Sequence, residues 1–235
     1  MSVLVVEFLL GVTGAKIAAK RNHTVVVIDV LRASSTIVTL LDKGVQAIKP
    51  VESIHHWDGL IIGEEDGQRI NGCHLNNSPT EVKEMSFNRH EVVAIKTTNG
   101  SACIMASKSI NNHVLIGSAL NAKASAALAS SIAIHNGGFI SIVLAGWRGQ
   151  IALDDLYIAS LIFDNIPHKK LLTGVIKYQG VDDLYSAMIG TEAAKRLHKL
   201  GYEKDILTCA QQDVTQTVPY YDGELIRSWH PTGDN

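Results

Sequence analysis

Asp29 and Arg32 stand three residues apart at the end of an apolar run, Val25-Val-Val-Ile-Asp29-Val-Leu-Arg32-Ala-Ser-Ser35. A carboxylate that follows four β-branched residues is costly to bury unless it is hydrogen-bonded or binds a cation. Arg32 lies just ahead of a helix whose first turn offers unpaired N–H groups, so guanidinium and helix end together can hold a phosphate or a sulfonate. The other reading is structural: Asp29 caps a loop and Arg32 pairs with it. Thr97-Thr98-Asn99-Gly100-Ser101 repeats this logic without charge, with Gly100 for a tight turn and Ser101 to cap a helix while neighbouring N–H groups face an anion. Plain turn chemistry explains that segment equally well.

A third loop, Ala145-Gly146-Trp147-Arg148-Gly149-Gln150, carries a second cation and leads to Asp154-Asp155. Carboxylates at a helix start also serve the dipole alone. Adjacent helical residues point about 100° apart, so at most one of the pair can face a common site squarely. Hard oxygen ligands suit Mg²⁺, which takes one or two carboxylates and keeps waters. Glu64, in Glu64-Glu65-Asp66-Gly67, is a further candidate ligand, although acidic runs are commonly just solvated.

The elements that must position these loops follow from periodicity. Apolar β-branched runs alternate with helical segments: a strand from Thr24 into a helix over 34–43, a strand over 91–97 into a helix from Ser101, and a strand over 113–117. After them come an Ala-rich helix over 122–135 with Asn121 as N-cap, a strand over 139–145 and a helix over 153–164. Near-continuous Val/Ile/Leu runs predict strands buried on both faces, and the alternation predicts a layered α/β fold. In such folds ligands sit beyond the carboxyl ends of the strands, so the three loops are expected on one crest. Residues 51–86 read as a long loop or short hairpin over the sheet edge. The segment from Val218 reads as irregular chain leading into a last short strand. No repeat or linker divides the chain, and residues 1–235 are expected to form a single domain.

Composition excludes several classes. With 235 residues, 46% hydrophobic, and Lys plus Arg at 21 against Asp plus Glu at 23, there is no basic excess for a nucleic-acid backbone and no basis for disorder. The first ten residues read as a strand rather than a signal peptide, because they lack a basic start and contain Glu7. Residues 124–147 carry no Asp, Glu, Lys or Arg, but Asn136-Gly137-Gly138 interrupts them, which predicts a helix and a buried strand rather than a membrane span. Cys73, Cys103 and Cys209 have neither disulfide-scaffold nor zinc spacing, and a reducing cytoplasm is expected. The histidines, His55-His56 and His74 among them, read as surface or packing residues. No Gly-x-Ser-x-Gly elbow and no P-loop occur, and Leu31 stands where a two-aspartate phosphatase loop would need an acid.

Taken in order, the segments at 27–37, Asn77-Ser-Pro-Thr-Glu81, 97–101, Gly117-Ser-Ala-Leu-Asn121, Ala145-Gly146 with Asp154-Asp155, and Val218-Pro resemble the 2-phosphosulfolactate phosphatase family of coenzyme M biosynthesis over nearly the whole chain. The resemblance implies a three-layer α/β/α sandwich with a largely parallel or mixed sheet. It also implies a cytoplasmic, Mg²⁺-dependent phosphatase that releases phosphate from a small sulfonated three-carbon acid. On this basis Asp29, with Glu64 or Asp155, is expected to bind Mg²⁺. Asp29 and Arg32 are the catalytic candidates. Asn77, Ser78, Thr98, Asn99, Gly100 and Ser101 are expected at the substrate, and Arg148 on its carboxylate or sulfonate. Water would attack in line.

The chain departs from the family at Glu65, where an Arg is usual, at His74, where an Asp is usual, and at Ile158-Ala159-Ser160. The first two departures motivate alternatives: a non-catalytic binder of small anions, or a phosphatase of another small phosphorylated acid. The expected partner is a small anionic phosphorylated substrate, with no nucleic acid and no membrane, and a homodimer is the default for a soluble enzyme.

Overall fold

The structure, a computed structural model, describes residues 3–55, 57–173 and 183–229; His56 and both chain ends lie outside the described residues. The chain begins β1 (Leu4–Leu10), α1 (Gly11–Lys20), β2 (Thr24–Ile28), α2 (Ala33–Asp42), β3 (Ala47–Pro50), β4 (Ile61–Glu65), β5 (Gln68–Arg69), α3 (Pro79–Glu84), β6 (Val92–Lys96) and α4 (Gly100–Ala106). It continues through β7 (Val114–Ile116), α5 (Ala122–His135), β8 (Phe139–Leu144), α6 (Leu153–Asn165), β9 (Lys169–Thr173), α7 (Leu184–Ile189), α8 (Glu192–Lys199), α9 (Glu203–Cys209), β10 (Pro219–Tyr221) and β11 (Ile226–Ser228). The expected strands and helices are present within a few residues. Residues 124–147 divide between α5 and β8, and no described helix is long and apolar enough to cross a membrane.

The strands form one mixed sheet in the order β5-β4-β6-β3-β11-β10-β7-β2-β8-β1-β9. Every residue of β2 is buried, and its side chains alternate between two cores. Val26 and Ile28 pack with α5, α6 and the α7–α9 segment, while Val25 and Val27 pack with α1, α2 and α4. Each fully buried Val or Ile of this kind contributes about 1.5–3 kcal/mol of transfer free energy. Helices therefore cover both faces, giving three layers. The three cysteines are free and buried.

Two regions differ from the sequence expectation. Residues 51–86 contain the expected short hairpin over the sheet edge, β4 with β5, but β4 also pairs in parallel with β6, and Ser78 caps α3 by accepting a hydrogen bond from the Glu81 N–H at 3.1 Å. The last segment forms a hairpin of two strands, β10 and β11, inserted in the middle of the sheet between β7 and β3. Asn121 does precede α5, but its side chain caps the preceding turn. Its Oδ1 accepts the Ser118 N–H at 2.9 Å and its Nδ2 donates to the Thr217 carbonyl at 2.9 Å, tying α5 to the hairpin.

The inserted hairpin has a consequence for the site. It is antiparallel to both neighbours, so β3, β6 and β4 run opposite to β7, β2, β8, β1 and β9. A flat sheet would send the tips of β2 and β6 to opposite edges. Strand-to-strand twist of about 20–25°, accumulated over the five pairings from β2 to β6, rotates one tip toward the other by roughly 100–125°. The tips do meet: Asn99, after β6, donates its side-chain N–H to the carbonyl of Gly146, after β8, at 3.1 Å. The crest thus joins strand tips from oppositely directed halves of the sheet, not from a uniformly parallel one.

Candidate active site

Asp29 leaves β2 at the floor of a cavity of about 40 Å³ where loops after β2, β6 and β8 meet α6 and α8. At roughly 10–15 Å³ for each enclosed water, this space suits a few waters or one tetrahedral anionic head group. Gly100 packs against the aspartate: a Cβ there would lie 2.7 Å from Asp29 Oδ2 and 2.7 Å from the Ala33 side chain. The absence of a side chain at residue 100 lets the β6 loop close on β2. Burial, then the charges of Glu64 and Asp154, push the Asp29 carboxyl up to about 7, against the N–H groups of Ala33 and Gly100 that hold it down.

The turn after β6 is turned inward on carboxylates. The Thr98 N–H donates to Glu64 Oε1 at 2.7 Å, the Thr98 hydroxyl donates to Glu64 Oε2 at 3.1 Å, and the Gly100 N–H serves Asp29. The Ser101 N–H donates to Thr97 Oγ1 at 2.9 Å. Three N–H groups expected to face an incoming anion are consequently spent on orienting Glu64 and Asp29 or on closing the turn. Of the expected segment, Thr98 and Asn99 line the cavity and Gly100 and Ser101 do not.

Asp154 and Asp155 are both 3% exposed, yet they do different things. Asp155 Oδ1 accepts the Val30 N–H at 2.9 Å and Oδ2 accepts the Gly146 N–H at 2.9 Å, so this carboxylate clamps the tips of β2 and β8 together. Burial, Asp154 and Asp29 push its carboxyl well above the usual range, and those two N–H groups oppose the shift. Gly146 itself needs positive φ, +67°, and a Cβ there would strike Leu10 at 2.7 Å. Asp154 holds no such pair of strand tips. Burial pushes its carboxyl up to about 6, while its own N–H and Arg196 hold it down.

The two arginines at the cavity are likewise distinct. Arg32 is 2% exposed and does not pair with Asp29: it donates to Asp205 Oδ2 at 2.7 Å and to the Gly67 carbonyl at 2.8 Å, with its guanidinium 4.5 Å over the Tyr202 ring. Its fixed partner is thus 173 residues away in sequence. Arg148 is exposed on a tight turn in which Trp147 and Gln150 exchange backbone hydrogen bonds at 2.8 and 2.9 Å, and it lies outside the cavity. Arg196 of α8 lines the cavity instead, with its guanidinium 3.9 Å over the Trp147 ring. Arg196 carried no sequence signal, because Glu192-Ala-Ala-Lys-Arg-Leu-His-Lys199 reads as a solvated helix face.

Asn77 lines the cavity, 2% exposed, but Ser78 is spent on structure, donating to Asp205 Oδ1 at 2.7 Å and capping α3. The departing residues Glu65 and His74 are both exposed and line no part of the cavity.

The expected metal set is rearranged. Among the described residues, no three His, Cys, Asp or Glu are placed to hold an ion together. Asp155 gives both oxygens to strand tips, and Glu64 accepts the Thr98 N–H, the Thr98 hydroxyl and, at 2.7 Å, the Gly67 N–H. Asp154 and Asp29, the latter also accepting the Ala33 and Gly100 N–H groups, are two further hard carboxylates with raised proton affinity. Four carboxylates and two guanidiniums line the cavity, and one guanidinium is already neutralised by Asp205. That donor set fits a divalent cation bound through two carboxylates and water.

A family model described as 2-phosphosulpholactate phosphatase matches residues 13–224. A protein of Clostridium acetobutylicum named "Probable 2-phosphosulfolactate phosphatase" is 30% identical over 94% of this chain and 99% of its own length. Identically named proteins of Thermotoga maritima and Thermus thermophilus are 33% and 29% identical, over 84% and 86% of this chain and 88% and 89% of theirs.

Proposed function

The chain belongs to the 2-phosphosulpholactate phosphatase family, and from that premise we propose that it is a Mg²⁺-dependent phosphoric monoester hydrolase acting on a small sulfonated or carboxylated acid, with 2-phosphosulfolactate as the first candidate. One observation carries the reading: carboxylates from β2, β4 and α6 and guanidiniums from the β2–α2 loop and α8 converge on a cavity sized for one phosphoryl group.

Asp29 and Asp154 would hold the cation, which when bound polarises a phosphoryl oxygen and offsets the charge that builds there. Arg32 keeps N–H groups beyond the two used by Asp205 and Gly67, and these counter negative charge on the phosphoryl oxygens. Glu64 acts at one remove. It fixes the Gly67 N–H, and the Gly67 carbonyl in turn fixes Arg32. Leu31, Trp147, Ala152 and Leu197 supply an apolar wall that limits bulk water. In the hydrolysis a water oxygen bonds to phosphorus as the ester P–O bond breaks. One water proton ends on the departing alkoxide and the other stays on the phosphate.

The alternative of a non-catalytic anion binder rested on Glu65 and His74, and both are exposed and line no part of the cavity. The test is phosphate release from 2-phosphosulfolactate and a panel of small phosphorylated acids, with Mg²⁺ and with EDTA. Metal-dependent release abolished by Asp29→Asn is the expected result. Tight anion binding with no release from any ester would reject the assignment.

A further inference from the structure

Two polar groups at the cavity have no use in the fold. Arg196 Nε is buried without a hydrogen-bond partner, and so is Asn77 Oδ1. Arg32, Ser78, Glu64 and Asp155 at this crest already have partners: Arg32 has Asp205, Ser78 has Asp205, Glu64 has Thr98, and Asp155 has two strand tips. Buried polar groups are almost always satisfied, so two orphans of opposite character on one cavity mark a place for a guest that both accepts and donates. Arg196 needs an acceptor. Asn77 Oδ1 needs a donor.

We propose that Arg196 and Asn77 form the seat of the phosphoryl group, a reading that rests on and sharpens the phosphatase assignment above. Hydrogenphosphate, the product, offers anionic oxygens to Arg196 Nε–H and an O–H to Asn77 Oδ1, while the ester dianion offers its oxygens to Arg196 alone. Sulfate offers only the first. The seat therefore distinguishes released hydrogenphosphate from sulfate. Trp147 is a positioning residue: its ring lies under the guanidinium, 3.9 Å from its carbon, and holds Arg196 at the cavity wall. The Arg196 charge also acts on Asp154, so the anion's counter-charge and the cation's ligand share one wall.

The probes are inorganic phosphate and sulfate, measured as direct binders by calorimetry and as inhibitors of ester hydrolysis. Arg196→Gln is expected to weaken phosphate binding, and to raise KM for the ester, at least tenfold, with the melting temperature unchanged. Arg196→Lys should recover only part of that loss. Lys199→Gln, a charge removed from the same helix, should change neither constant. Wild-type protein should bind phosphate at least tenfold more tightly than sulfate, and Asn77→Leu should erase that preference. Should Arg196→Gln not fold, Trp147→Leu carries the test through the same phosphate constant. Wild-type phosphate affinity in Arg196→Gln overturns the proposal while leaving the phosphatase assignment standing. Arg196-dependent phosphate binding with no ester turnover does the reverse. Equal binding of phosphate and sulfate removes Asn77 from the seat.

Discussion

Replacing each member of the Asp154-Asp155 pair with asparagine separates clamp from ligand. In Asp155→Asn, one oxygen can still accept from Val30 or Gly146, but the other position becomes an NH₂ facing a backbone N–H. A hydrogen bond to a charged group is worth about 1.5–3 kcal/mol, and relief of the repulsion from Asp154 and Asp29 offsets part of its loss, for a net cost of about 2 kcal/mol. In a protein of this size that lowers the melting temperature by roughly 4–8 °C. Asp154→Asn removes a charge that clamps no strand tips and raises the proton affinity of Asp29, so the metal-free variant should melt at or above the wild-type temperature. Its Mg²⁺-dependent phosphate release should nevertheless fall by roughly 100-fold or more. The measurements are circular-dichroism melting in EDTA and a Mg²⁺ titration of phosphate release. A normal melt for Asp155→Asn, together with a lowered melt for Asp154→Asn, would refute the division of roles.

Gly100→Ala should drive a methyl into Asp29 and Ala33, costing about 1–3 kcal/mol of stability and displacing the carboxylate; urea midpoints and phosphate release should both fall. Asp205→Asn leaves Arg32 buried without its counter-charge and weakens the bonds from Ser78 and Thr80, so a loss of about 3–5 kcal/mol is expected in chemical denaturation. The metal-free protein should be more stable at pH 6.5 than at pH 8. Asp29 titrates near 7 in the folded state, far above its unfolded value, so the folded form binds the extra proton and loses about 1 kcal/mol as pH rises through that window. Saturating Mg²⁺ should reduce this slope, and a slope wholly unchanged by Mg²⁺ would exclude Asp29 as a ligand. Below pH 6.5 the sign reverses for His23 and His113, both lowered by burial, whose contributions are lost as pH falls from 6.5 toward their folded values. Glutamine at both positions should flatten that acid limb of the melting curve.

Much of the fold was legible because it depends on local pattern. The four β-branched residues before Asp29 can only be a strand buried on both faces, and α5 spans the predicted 122–135. The special character of Asp29 was legible as well, since a carboxylate after such a run demands a partner or an ion. The hairpin of β10 and β11 was not, because segments of three residues carry almost no periodicity. A loop or edge hairpin was legible over 51–86, but the parallel pairing of β4 with β6 was not, because its short apolar run sits among Gly, His and Asn.

The chain by itself determined the alternation of strands and helices, the glycine at residue 100, and a set of acids and cations near strand ends. Periodicity, propensity and burial cost act over a few residues and leave their mark in order. Which acid of an adjacent pair clamps and which faces the cavity, and whether Arg148 or Arg196 reaches it, was decided only in three dimensions. Those outcomes depend on accumulated sheet twist and on pairings as distant as Arg32 with Asp205. Such contacts form between segments that share no local signal, because they are selected by which buried charges can find partners once the layers have packed.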